Sequence, residues 1–77
     1  MKVQVFAALK DYFDPSFELN DNASTVSEVK ERLLRMNPDA TSLLNLSRFA
    51  VNEEIVGEDF KINTHDLISI LPPASGG

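Results

Sequence analysis

The first residues of the chain alternate. Val3, Val5 and Ala7 fall on one side, and Lys2, Gln4 and Phe6 on the other. A period of two over residues 2–8 predicts a half-buried β-strand. Pro15 interrupts any strand at Lys10–Pro15, and the alternation resumes over residues 16–19, where Phe17 and Leu19 point one way and Glu18 the other. Two such segments with a short connector predict a hairpin. A cluster of turn formers follows at Asn20–Ser24, and then the period changes. Val26, Val29, Leu33 and Met36 recur at helical spacing, with Leu34 at the edge of the stripe. Thr25 and Glu28 have the spacing of a capping box, in which each end of the pair satisfies a free N–H of the first turn. Asn37-Pro38 predicts the stop.

Beyond the helix, Leu43, Leu44 and Leu46 predict core contacts on a short helix or an irregular crossing. Phe49–Val51 and Ile55-Val56, joined through Asn52-Glu53-Glu54, read as a tight hairpin. Residues 67–71, Leu-Ile-Ser-Ile-Leu, form an almost continuous apolar run. A strand of that kind is covered on both faces and central in its sheet. A helix separates it from the first strand, so the two are expected side by side and parallel. The resulting order, β-β-α-(short α)-β-β-β, predicts an α+β fold of β-grasp (ubiquitin-like) type: a mixed sheet with one main helix packed on one face. Residues 1–71 are expected to form the single domain and residues 72–77 a flexible tail.

Composition then narrows the chemistry. A chain of 77 residues holds one modest core. The absence of cysteine excludes a thiolate nucleophile, a disulfide framework and a Cys-ligated metal. The one histidine, His65, excludes a His-rich site, so no metal site is expected. With 7 basic and 12 acidic residues the formal net charge is −5. Such a chain is a poor ligand for nucleic acid or an anionic membrane, and neither is expected as a partner. No signal peptide and no apolar run of membrane-spanning length is present, so a cytoplasmic location is expected.

The tail carries the chemistry that the domain lacks. Pro72 and Pro73 fix φ and favour a stiff, extended exit from the last strand. From there to Gly77 the chain reaches at most roughly 20 Å. Gly76 and Gly77 have no side chains, so this segment can thread a channel too narrow for Cβ atoms. A terminal carboxylate is a poor electrophile and needs one oxygen converted into a leaving group. The tail therefore implies a partner enzyme whose active site it enters.

Pro72-Pro73-Ala74-Ser75-Gly76-Gly77 resembles the Pro-Pro-x-Ser/Thr-Gly-Gly terminus of the MoaD-type sulfur carriers, the small subunits of molybdopterin synthase. Lys2–Ala7 is similar to that family's first strand, Thr25-Val26 with Glu28 to its helix start, Ala50-Val51-Asn52 with Ile55-Val56 to its hairpin, and Leu67–Leu71 to the strand feeding its tail. The sequence departs from the family in one turn, where Thr64-His65-Asp66 replaces the usual Asp-Gly-Asp. If that turn needs a positive φ, His65 adopts it at a cost that His tolerates better than most residues. His65 is read as a turn residue rather than a catalyst.

The resemblance implies a mechanism. An E1-like (MoeB-type) enzyme uses ATP to adenylate the carboxylate of Gly77, and a persulfide donor then converts it to a thiocarboxylate. The carrier docks on the large (MoaE-type) synthase subunit, in a heterotetramer, and delivers sulfur to the pyranopterin precursor of the molybdenum cofactor. Gly77 and Gly76 would form the reacting end. Phe6, Lys10, Ile55 and Leu71, with Pro72, Pro73 and Ser75, would meet the partners. No cofactor is expected on the chain itself, which would be a sulfur-donating subunit with the catalytic groups mainly in its partners. Read from the residues alone, Phe6, Ile55 and Leu71 are equally well core residues. The excess of acidic residues serves either solubility or encounter with a basic partner. Three other functions share the tail or the fold: a ubiquitin-like modifier conjugated through Gly77, a sulfur carrier for thiamine thiazole or another product, and an interaction module with an inert end.

Overall fold

The computed structural model describes residues 1–20 and 22–73. The opening alternation forms strand β1, Lys2–Val5, with Val3 and Val5 buried and Lys2 exposed. The strand is shorter than the 2–8 period predicts. Ala7 leaves the extended region at φ 52°, is exposed, and starts a 3-10 turn, Ala7–Asp11, that buries Leu9 instead. Alternation read on a small residue such as Ala7 does not distinguish a strand from the turn that ends it. The chain returns as β2, Ser16–Glu18, antiparallel to β1.

Helix α1, Val26–Met36, begins where the capping pattern predicts. The Glu28 N–H donates to the Thr25 hydroxyl at 3.3 Å. The Glu28 carboxylate reaches one residue further back than a capping box requires, accepting from the Ser24 N–H at 2.6 Å and the Ser24 hydroxyl at 2.9 Å. Val26, Val29 and Leu33 are fully buried, and Leu34 packs against the core from the edge. Met36 is a correction to the predicted stripe. It is 54% exposed, in the last turn before Asn37 diverts the chain. A 3-10 turn at Pro38–Ala40 leads into α2, Thr41–Leu46. Leu44 is buried and Leu43 packs against the core, whereas Leu46, expected inside, is 68% exposed.

Strands β3, Arg48–Val51, and β4, Glu54–Val56, form the expected hairpin. Its turn residues Asn52 and Glu53 lie in the left-handed region at φ 50° and 75°. A two-residue hairpin turn with both φ positive matches the twist of its strands, and glycine is favoured at its second position. Glu53 there is strained, at a cost of roughly 1–2 kcal/mol. A Glu53→Gly variant relieves this strain but recovers only part of it, because glycine loses more chain entropy on folding. Glu53→Gly is expected to stabilise the fold by about 0.5–1 kcal/mol in urea denaturation; an unchanged or lower midpoint would contradict the strain.

The last strand, β5, Leu67–Leu71, lies between β1 and β3, parallel to the first and antiparallel to the second. The five-stranded order is β2-β1-β5-β3-β4, the β-grasp arrangement expected from the sequence. Val3, Val5, Phe49, Val51, Ile68 and Ile70 face the helices and make one core with Val26, Val29, Leu33 and Leu44. His65 is not among the described non-glycine residues with positive φ, so the turn before β5 takes His65 without the left-handed strain considered for it. None of the described helices is long and apolar enough to cross a membrane.

Candidate functional site

Because the helices cover one face of the sheet, the register assigns every other strand residue to the opposite face. Two rows cross it. In the first, Gln4 lies beside Ser69, Ser69 beside Ala50, and Ala50 beside Ile55. In the second, Arg48 lies beside Leu71, and Phe6 falls level with Leu71 because Val5 pairs with Ile70. At about 4.8 Å between strands, the first row spans about 14 Å.

This arrangement takes the three apolar residues out of the core. Phe6 is 40% and Ile55 56% exposed, Leu71 is half-buried, and none of the three belongs to the core. Phe6 keeps an extended backbone, at φ −128° and ψ 160°, so it continues the outward alternation of β1. Ala50 and Ser69 are buried on this face by their neighbours and form its floor. Apolar side chains around a small-residue floor on an uncovered sheet face suit a partner surface. Lys10 is exposed on the turn that follows Phe6. Pro72, half-buried, and Pro73, exposed, continue β5 at the Leu71 end of this face. Ser75, Gly76 and Gly77 lie outside the described residues.

The start of β5 is held by a network that local sequence patterns do not reveal. The Asn52 side-chain amide donates to Asp66 at 2.9 Å and accepts from the Leu67 N–H at 3.0 Å. The second Asp66 oxygen accepts from the Asn63 N–H at 2.8 Å. The strand that leads to the tail is thus tied to the β3–β4 turn. The Asn63 N–H and the Asn52 amide hold the Asp66 carboxyl below its ordinary value of 3.8, with a smaller contribution from His65. Glu28 is likewise held below its ordinary value of 4.5, by the Ser24 N–H and hydroxyl first.

Both shifts favour the ionised, folded form. Their stabilisation is present above the ordinary values and lost as the pH falls through the lower, folded ones. Stability to urea is therefore expected to be level near neutral pH and to fall below about pH 4.5. The Glu28→Gln, Asp66→Asn double variant is expected to show a shallower acid decline. An identical decline would remove these two groups from the account.

Among the described residues no group of three His, Asp or Glu side chains could hold a metal. The geometry offers a partly apolar, uncovered sheet face, with Pro72 and Pro73 leaving β5 beside it. The pattern of the sequence points to Phe6, Ile55 and Leu71, which the fold leaves outside the core; it does not point to the groove of about 450 Å³ that the fold forms from Leu46, Arg48, Leu71, Pro72 and Pro73.

Comparison with known proteins agrees with this geometry. Residues 3–77 match the ThiS family. The chain is 37% identical over 81 residues to the molybdopterin synthase sulfur carrier subunit of Dictyostelium discoideum, covering 99% of this chain and 94% of that one. Its fold is similar to that of small archaeal modifier protein 1 from Haloferax volcanii, with a TM-score of 0.81 at 17% identity over 95% of each chain. It is similar also to a chain from the complex of subunits 1 and 2 of molybdopterin-converting factor from Helicobacter pylori, with a TM-score of 0.71 at 23% identity, covering 99% of this chain and 96% of that one.

Proposed function

Because the chain belongs to the ThiS family, we propose that it is the sulfur carrier subunit of molybdopterin synthase, with Gly77 as the group that carries sulfur. The observation that carries this reading is the likeness, along nearly the whole chain, to a molybdopterin synthase sulfur carrier. The family match runs through Gly76-Gly77.

The chemistry follows from what a carboxylate lacks. Attack of the Gly77 carboxylate on ATP, in an activating enzyme, makes an acyl-adenylate and releases pyrophosphate. A persulfide sulfur then bonds to the acyl carbon as AMP leaves. Cleavage of the S–S bond by a second thiol frees the thiocarboxylate. On the large subunit the sulfur passes to the pyranopterin precursor, and water returns the carbonyl to a carboxylate. This chain adds no cysteine that could intercept the sulfur.

Its own contribution is delivery. The face built from Phe6, Ala50, Ile55 and Leu71 docks on the large subunit, with Lys10 at its margin. Pro72 and Pro73 aim the tail. The subunits assemble into a heterotetramer, and the whole cycle runs in the cytoplasm.

Expression in cells lacking their own small subunit tests the function. Restored molybdoenzyme activity, without relief of a thiamine requirement, is expected. Relief of the thiamine requirement alone would overturn the assignment. The docking face has its own test in Ile55→Asp. A carboxylate buried within an apolar contact is expected to weaken binding to the large subunit at least about thirtyfold. The melting temperature stays within a few degrees, because Ile55 lies outside the core. Wild-type affinity would place the interface elsewhere.

A further inference from the structure

We infer that Leu46 and Arg48 form, with Leu71, Pro72 and Pro73, a recognition collar at the root of the tail that every tail-accepting enzyme must cover, and that these partners present a carboxylate to Arg48. The inference rests on the proposed function and extends it to residues the docking face does not include.

Reach compels the contact. Four residues separate Pro73 from Gly77, so the terminal carbon lies at most about 14 Å from the root. An enzyme that encloses that carbon brings its channel rim down around Pro73, whatever else it touches. The surface there is the groove of about 450 Å³ between Leu46, Arg48, Leu71, Pro72 and Pro73. Leu46 is the most exposed large apolar residue described, at 68%. Its position at the end of α2 is fixed where the Ser47 hydroxyl donates to the Leu43 carbonyl at 2.7 Å. An apolar side chain held in water beside the exit gains from being covered.

Arg48 sets the chemistry of the cover. It stands beside Leu71 on the outer face, in the row that leads to Phe6, and it is exposed. It makes no ion pair among the described residues. A guanidinium buried without an anion is costly, whereas a carboxylate opposite it satisfies its planar donor fork. The rim is therefore acidic at this point and apolar toward Leu46. Since the tail visits both the activating enzyme and the large subunit, both carry this pairing.

The test uses the full chain with Arg48→Glu, Arg48→Lys and Leu46→Ser. For each, the KM and kcat of ATP-dependent activation are measured, together with the Kd for the large subunit. Arg48→Glu is expected to raise KM and Kd each at least about thirtyfold, with kcat at saturation unchanged. Arg48→Lys, which keeps the charge, recovers most of the loss, and Leu46→Ser weakens both partners in parallel. Wild-type values for Arg48→Glu, or a loss confined to one partner, would overturn the collar. A wild-type chain that is not activated at all overturns the proposed function and the collar with it. An activated wild type with an unaffected Arg48→Glu overturns the collar alone.

Discussion

A chain lacking Gly77 is expected to melt at the wild-type temperature and yet to accept sulfur at least about a thousandfold more slowly. The two halves of this result come from different parts of the molecule. The core is built from residues between Met1 and Ile70, so the truncation removes none of it. What it removes is reach. One residue shortens an extended tail by about 3.4 Å. A reacting group misplaced by about 1 Å already loses about a hundredfold in rate. Sulfur transfer is therefore expected to fall at least about a thousandfold. Molybdoenzyme activity in a complemented strain falls with it, while affinity for the large subunit stays within an order of magnitude, because the docking face is intact. A truncated chain that still supports molybdoenzyme activity would show that Gly77 is not the carrying group.

The second large effect is on stability, and it comes from the strand that leads to the tail. Ile68 is fully buried in β5, facing the helices, with Val3 of β1 and Val51 of β3 on either side. Ile68→Ala removes apolar contacts on all of these and is expected to cost about 2–5 kcal/mol. A 77-residue domain has roughly 4–11 kcal/mol in total. The change therefore consumes a large share of its stability and lowers the melting temperature by roughly 8–40 °C. Ile55→Ala is the matched control from the other face of the same sheet. Its effect is expected within about 0.5 kcal/mol, since Ile55 is 56% exposed and packs on no part of the core. Equal costs at Ile55 and Ile68 would mean that the sheet has no free face on which a partner could dock.

The contrast between these two isoleucines also shows what was legible in the sequence. The apolar run Leu67–Leu71 identified the central strand, because a strand covered by neighbours and helices needs little polar alternation. Thr25, Glu28 and Asn37-Pro38 placed both ends of α1, because capping and helix termination are local chemistry. Phe6 and Ile55 were legible as apolar but not as exposed, since a period of two assigns a side without saying which side is covered. The same blindness placed Met36 and Leu46 inside. Each sits in the last turn of its helix, where the chain departs from the core and helical spacing no longer implies contact. The Asn52–Asp66 link joins residues 14 apart in sequence and depends on two turns meeting in space. The groove at the tail root likewise joins α2 to β5, and only the fold brings Leu46 to Pro72.

The most direct measurement is the mass of the intact chain, and of its C-terminal peptide, after incubation with ATP, the activating enzyme and a persulfide donor. Sulfur carriage by Gly77 requires a gain equal to the replacement of one oxygen by one sulfur, located on Gly77, dependent on ATP, and lost again when the large subunit and the pyranopterin precursor are added. An unchanged mass with an activating enzyme that charges another carrier, or a gain located elsewhere in the chain, would contradict it.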